Sequence, residues 1–523
     1  MLSFDVNAPT MVMINMSGRW ERDDGRVSVV DGQVTVASGA PVYGVQLAYE
    51  TAFEPGVRIF GDAWERGYGG LEWRGVSPER LMPWYMHADE NGRQSFIGVM
   101  TQPGAFVGFR AAAKSVTVDI DLRSGGGPVD LSRRALNACT LVAAFNEEGS
   151  PFAFQRAMLK RLCPAPRLAA EPVYGGNNWY YAYGMSSRMD ILADCGFMSE
   201  MAGGSANRPY MVIDVGWQKH AAIAMRSDPM TVCDYGGPWV GNEFYGDEET
   251  LAELMKEEGV KPGIWIRPLL EYEKPREGWS LFRDGDNWAL DPSNPEVLGY
   301  IGDTVRRLNA AGYSLIKPDF TTFDIFGYWG FQVRGRRMEP GRPMADNTRT
   351  NAEIIRDMYR TMAEASGDNL IIGCNTVGHI AAGLFQINRT GDDTSGRNWE
   401  RTRYMGLNTL AMRMPQHRIF YDCDADCAPV TGDVDWALAG KWLDVLSRSG
   451  TPLFVSADPE TADQAQRRAI SEAFARAAVN VAPAEPLDWQ QTTAPRMWKC
   501  ADGVHEYDFD AFYGYDGSDV WWR

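Results

Sequence analysis

From about residue 173 to residue 480 the sequence alternates short apolar runs with longer amphipathic stretches, and this alternation constrains the fold more than any other feature. Eight runs read as strands: 177–182, 210–215, 263–268, 314–319, 370–374, 385–390, 418–422 and 452–456. Stretches with helical periodicity separate most of them, among them 248–258, 295–311, 350–365 and 435–447. Eight β/α units in about 300 residues is the count of a closed (β/α)8 barrel of the TIM type. An open doubly wound sheet rarely needs eight strands, and no Gly-rich nucleotide fingerprint is present to support one.

The residues before the barrel read as β. Short alternating stretches such as Arg26-Val-Ser-Val-Val, Gln33-Val-Thr-Val and Ser115-Val-Thr-Val-Asp-Ile-Asp-Leu recur between Gly-rich turns, as in an antiparallel β-sandwich. A helix is expected at 152–162, and Pro164 and Pro166 mark a boundary. The expected organisation is an N-terminal sandwich with its linking helix at 1–165, a catalytic barrel at 166–480 and a short C-terminal appendage at 481–523. That appendage is aromatic and ends in Asp519-Val-Trp-Trp-Arg523.

A formal net charge of −18 argues against nucleic acid and anionic membranes as partners, since both call for clustered positive charge. The 18 Trp and 21 Tyr fit a carbohydrate-active protein, because flat rings stack on sugar faces, although large cores also bury aromatics. Met1-Leu-Ser-Phe-Asp has neither the charged start nor the apolar stretch of a secretory leader, so a cytoplasmic location with free thiols is expected.

Two of the strand runs end in acids. One closes Tyr313-Ser-Leu-Ile-Lys-Pro-Asp319, and the other lies in Phe385-Gln-Ile-Asn-Arg-Thr-Gly-Asp-Asp393. The C-terminal ends of barrel strands carry catalytic groups. Carboxylates on two different strands suggest glycoside hydrolysis by a nucleophile and a proton donor. Lys317 lies two residues before Asp319, so the two side chains share a face of the strand. The cluster Asp422-Cys-Asp-Ala-Asp-Cys427 invites a metal reading but lacks EF-hand and zinc-finger spacing, and a hydrogen-bonded loop is the reading preferred here. No metal or cofactor is expected.

The barrel resembles the α-galactosidase clan of retaining glycosidases, glycoside hydrolase family 36 above all and family 27 more distantly. Ile213-Asp-Val-Gly-Trp217 looks like the family's Asp-Asp-Gly-Trp, and Lys261-Pro-Gly-Ile-Trp-Ile-Arg-Pro268 its Gly-x-Trp-x-x-Pro segment. Lys317-Pro-Asp319 matches the nucleophile strand, and Thr390-Gly-Asp-Asp-Thr394 resembles the acid/base strand. Gly61-Asp-Ala-Trp-Glu-Arg-Gly-Tyr-Gly69 looks like the sandwich loop that family 36 brings over the sugar.

The resemblance implies a retaining α-glycosidase acting on a terminal galactose-like sugar, with Asp319 as nucleophile. Alignment to Thr-Ser-Asp selects Asp392 as acid/base, the assignment preferred here, whereas a count of four from Arg389 selects the alternative, Asp393. Asp214, Trp217, Lys317, Cys374, Arg389, Asp62 and Trp64 are the implied substrate-binding residues. Trp179 on strand one and Trp265 on strand three are candidate sugar platforms, with barrel-core packing as the alternative for each. The family's second strand-two Asp is Val215 here, and its usual strand-three Glu is Arg267, so the sugar stays open. An α-N-acetylgalactosaminidase, a β-L-arabinopyranosidase, a transglycosylase and an inactive sugar-binding barrel are the alternatives. The expected partner is an oligosaccharide or glycoside, and a homo-oligomer is left open.

Overall fold

The computed structural model describes residues 2–16, 18–332 and 342–509. Two six-stranded antiparallel sheets form the N-terminal part. One contains Met11–Asn15, Gly44–Glu50, Phe106–Ala112 and Ser115–Asp121, and the other contains Arg58–Gly61, Tyr85–Glu90, Arg93–Val99 and Leu136–Glu148. Alternation drives the pairing: in Ser115–Asp121 the side chains of Val116, Val118 and Ile120 are buried while their neighbours stay half-exposed. The helix Pro151–Leu162 follows. Its Ser150 hydroxyl caps the Ala153 N–H, and Phe152, Met158, Leu159 and Leu162 are buried.

The remaining sheet is parallel and closes on itself. Strands Tyr174–Asn177, Tyr210–Ile213, Lys261–Ile266, Leu315–Pro318, Leu370–Gly373 and Ile387–Arg389 are neighbours in order. The seventh is interrupted: Asp422–Asp424 pairs with the sixth, and Cys427–Val430 pairs with the eighth, Leu453–Ala457. The eighth returns to the first. Nine hydrogen-bonded segments therefore make an eight-stranded barrel, broken at Asp426, whose φ of 70° lies in the left-handed region. Helices between the strands carry strong caps, such as the Thr350/Glu353 box of Asn351–Ser366 and the Asp463/Gln466 box of Gln464–Ala477.

Two expected strands are displaced. The first lies at Tyr174–Asn177, and Trp179–Ala182 is a short helix instead. Gly175 has a φ of 152°, and a Cβ there would stand 1.8 Å from the Tyr210 carbonyl oxygen, so only glycine fits. Gly175 and Gly176, which precede the expected run, form the strand. The seventh begins at Asp422 because Arg418, at φ 58°, turns the chain just before it.

After the last helix, Glu485–Pro486, Met497–Cys500 and Gly503–Glu506 form a three-stranded antiparallel sheet. Asp519-Val-Trp-Trp-Arg523 lies outside the described residues. Among the described residues, no helix is long and apolar enough to cross a membrane.

Candidate active site

Asp319 directly follows the fourth barrel strand and is 7% exposed. Its Oδ1 accepts from the backbone N–H groups of Phe320 (2.8 Å) and Asn375 (3.0 Å), and its Oδ2 accepts from Trp265 Nε1 (3.1 Å). Three neutral donors from strands three to five thus fix the carboxylate without covering it with a cation. Lys317 shares its face as expected, but the ammonium bonds Asp214 Oδ2 at 2.7 Å. Among the described residues Asp319 forms no ion pair.

Asp214 follows the second strand and accepts at Oδ2 from Lys317 and from Asn177 Nδ2, both at 2.7 Å, and at Oδ1 from the Val215 N–H, which leaves Oδ1 room for one more donor. Val215, in place of the family's second acid, is buried in the core. Arg267 is turned away into a bidentate pair with Asp324 and lies 4.2 Å from the Phe320 ring.

The two acids after strand six meet different surroundings. Asp392 Oδ2 accepts from Arg401 Nη2 at 2.7 Å, while its buried Oδ1 is ion-paired with Arg66 Nη2 at 2.6 Å but not aligned to accept a hydrogen bond. Asp393 meets Arg389 Nη2 at 3.3 Å and Arg66 Nη1 at 3.7 Å, both through Oδ1. Its Oδ2 accepts no hydrogen bond among the described residues. Burial would push the Asp393 carboxyl up, but Arg389, Arg66, Lys317 and Arg401 together hold it below the ordinary carboxylate range.

Cys374, fully buried after strand five, lies 3.4 Å from Arg389 Nη1 and 3.7 Å from Arg66 Nη1, and burial pushes its thiol up. Arg389 also bonds Asp426 Oδ2 at 2.6 Å, and that oxygen accepts from the Thr394 N–H and the Tyr180 hydroxyl too. Asp422 accepts from the Ala169 N–H, and Asp424, lifted to about 6 by burial, accepts from the Asp426 N–H. The three acids of that cluster are therefore committed to separate hydrogen bonds.

The sandwich closes the site of its own chain. Gly67 N–H donates to the Thr390 carbonyl and Asp392 N–H to the Gly67 carbonyl, both at 2.8 Å, so the loop extends strand six. Asp62 is locked by Arg413 and Gln416, and Trp64 packs edge-on against Trp84. These two expected contacts anchor the loop rather than face the site. The loop's reach comes from Glu65 and Arg66, neither of which was singled out. Glu65 is buried between Thr322, Asn375, Tyr68 and the Gly330 N–H, and burial pushes its carboxyl up. The Arg66 guanidinium lies 5.3 Å from the Trp329 ring.

The expected tryptophan platforms also resolve differently. Trp217 and Trp265 are 1% exposed and packed through Trp239, Trp217 donating to the Trp265 carbonyl. Trp179 packs on Tyr183. A cleft of about 960 Å³ opens beside Phe320, with Tyr235, Tyr272, Phe323 and Trp329 in its walls.

No protein-family profile matches the sequence. Solved structures do resemble the whole chain. The α-galactosidase of Thermus thermophilus, solved with p-nitrophenyl α-D-galactopyranoside, aligns at a TM-score of 0.62 and 18% identity, covering 95% of this chain and 98% of its own. The chain has the fold of the family 36 α-galactosidases. The family 36 enzyme of Geobacillus stearothermophilus aligns at TM-score 0.60 and 14% identity over 90% of this chain and 70% of its own. The Lactobacillus brevis α-galactosidase gives 0.57 and 13% over 91% and 69%.

Together the barrel brings Asp319, Lys317, Asp214, Cys374, Arg389, Asp392 and Asp393 to one mouth. Arg66, Glu65, Arg401, Asn375 and Asp426 join them. The sequence signal for Glu65 and Arg66 is an acid beside a base inside a Gly- and aromatic-rich loop.

Proposed function

We propose that the chain is a retaining glycoside hydrolase of α-galactosidase type, in which Asp319 is the nucleophile and Asp393 the acid/base. The observation that carries this reading is Asp319 itself, a carboxylate at the end of barrel strand four, oriented by three neutral donors and free of any cation among the described residues. A carboxylate so held keeps its nucleophilicity and can attack an anomeric carbon to form a glycosyl ester, while the glycosidic oxygen leaves with a proton from the second acid. Arg389 and Arg66 hold Asp393 ionised, so it takes up that proton once those guanidiniums turn to the sugar's hydroxyls. Water then attacks the ester-linked carbon, giving up its proton to the same acid, and Asp319 is released.

The preference for Asp392 given by the Thr-Gly-Asp match is reversed in this proposal. Both Asp392 oxygens are ion-paired with guanidiniums and Oδ1 is buried, whereas Asp393 is paired through Oδ1 alone and keeps Oδ2 for a glycosidic oxygen. Asp214 with Lys317 would receive the sugar's distal hydroxyls, and Arg389 with Arg66 the hydroxyls near the scissile bond. The cleft beside Phe320 offers room for the leaving group. Neighbouring folds have been solved with stachyose and raffinose, which supports an oligosaccharide substrate.

Val215 favours a second reading of the sugar. A buried apolar side chain in place of an acid removes a hydroxyl acceptor, and a matched buried hydrogen bond to a substrate hydroxyl governs discrimination by orders of magnitude. The same machinery would then serve an α-N-acetylgalactosaminide or a β-L-arabinopyranoside. A panel of nitrophenyl glycosides, followed by NMR of the first-formed product, tests both. Turnover of the α-galactoside with retained configuration is expected, and a preference for another glycoside with retention selects the second reading. Inversion, or no turnover across the panel, overturns the proposal.

A further inference from the structure

The C-terminal sheet carries a group of side chains that the glycosidase reading does not use. Strands Met497–Cys500 and Gly503–Glu506 form a hairpin with Cys500 opposite Gly503 and Trp498 opposite His505. Side chains two apart share a face, and so do directly opposed residues. Trp498, Cys500 and His505 therefore lie on one face. Trp498 is fully buried, which sets that face inward, and Asp502 sits in the turn between the strands. One donor atom each from Cys500, Asp502 and His505 falls within 4.8 Å of the other two. His505 Nε2 meets Asp502 Oδ1 at 2.9 Å, and the Cys500 thiol has only a 3.9 Å contact to the Trp498 carbonyl.

We propose that Cys500, Asp502 and His505 form a binding site for one zinc-class divalent cation, with water completing the coordination. The donor set is a thiolate sulfur, an imidazole nitrogen and a carboxylate oxygen, which suits Zn²⁺ in a tetrahedral site with one open position. Bond lengths of about 2.3 Å to sulfur and about 2.0–2.1 Å to nitrogen require the three donors, now within 4.8 Å of one another, to draw closer around the ion. Thiolate and carboxylate balance the charge of the ion. Arg448, from helix Trp436–Ser449, pairs with Asp502 through Oδ2, leaving Oδ1 to the metal. Asp444 of the same helix accepts from Arg448 Nε and from the Tyr507 hydroxyl. The ion would thus pin the hairpin to a barrel helix, with an oriented carboxylate behind it.

Binding exchanges the thiol proton for the metal: the S–H bond breaks, the S–Zn bond forms, one proton enters solvent, and no electron moves. His87, His379 and His417 are buried in other parts of the fold, and His220 is engaged with Glu273, so His505 is the imidazole best placed to pair with a cysteine.

The test is titration of the chelator-treated full chain with Co²⁺, followed by competition with Zn²⁺. The expected result is one equivalent bound with a sulfur-to-cobalt charge-transfer band, displaced by Zn²⁺ and abolished by both Cys500→Ser and His505→Ala. In the parent protein, Zn²⁺ should also block alkylation of Cys500, read by peptide mass against the buried cysteines. A missing band at saturating Co²⁺, a band that persists in Cys500→Ser, or unprotected alkylation of Cys500 would each overturn the proposal.

Discussion

Asp392 and Asp393 are adjacent in sequence yet carry different burdens, and single substitutions should separate them. Asp392→Ala leaves Arg66 and Arg401 without their shared carboxylate, and loss of one partner from a buried pair costs about 3–5 kcal/mol. Chemical denaturation should register that loss, and all substrates should slow alike. Asp393→Ala should instead discriminate by leaving group. Aryl groups of low pKa depart unaided, whereas alkyl and sugar oxygens need a proton in the transition state. Glycosylation by nitrophenyl glycosides should survive, while cleavage of oligosaccharides falls by about 10²–10⁴-fold. The opposite assignment follows if Asp392→Ala shows the leaving-group dependence. Arg66 is among the groups that hold Asp393 below the ordinary range, so Arg66→Ala should let its carboxyl rise. The acid then keeps its proton to higher pH, and the alkaline limb of kcat/KM on an oligosaccharide should move upward. An unmoved limb would detach Arg66 from the proton donor. Asp319 with Lys317 was legible because period-two spacing is local. Arg66, Glu65 and Arg401 were not, because a loop 250 or more residues away in sequence supplies the first two (Asn375 Nδ2 to Glu65 spans 310 positions).

At the scale of elements, strand six depends on a residue with no side chain. Gly391 stands where the family's motif has Ser, and the structure gives the reason: a Cβ there would lie 1.8 Å from the Met405 carbonyl oxygen. Met405 belongs to the π-helical turn Arg403–Asn408, which brings that carbonyl against the strand end. Gly391→Ala should therefore push the two acids off their partners. Overpacking of this kind costs about 1–3 kcal/mol, and a shift near 1 Å at reacting groups costs about 10²-fold in rate. Thermal melts and kcat on a nitrophenyl glycoside check both, and a variant with parental kinetics would show that the strand end tolerates the displacement. Most barrel strands were legible because buried parallel strands read as continuous apolar runs, as in Leu315–Pro318. The first strand was obscured by Gly175, which close approach to the Tyr210 backbone requires, and by Gly176, against which the Met198 and Met211 side chains pack. The seventh was obscured because its polar residues face a charged interior, and an Asp-rich segment does not read as a strand.

Across the whole molecule, sandwich and barrel are joined by His379. Its ring stacks on Trp84 at 4.8 Å, Nε2 donates to the Val99 carbonyl, and buried Nδ1 makes no hydrogen bond among the described residues. Burial lowers its pKa from 6.5 to about 4. Its contribution is whole above the unfolded value and disappears as pH falls from about 6.5 toward 4, a linkage on the order of 3 kcal/mol. Denaturant midpoints should decline across that window, and His379→Gln should flatten the slope; an unchanged slope would place the titrating group elsewhere. The interface matters because it presents the Glu65–Arg66 loop to the barrel, and the site is complete only when both parts are in place. The central claim is that Asp319 forms a covalent bond to the sugar, and it is tested most directly by Asp319→Ala with and without azide. The account predicts no turnover of an activated glycoside by the folded variant alone. Azide should restore activity and yield a glycosyl azide of inverted anomeric configuration. Turnover without azide, or an azide product of retained configuration, would contradict it.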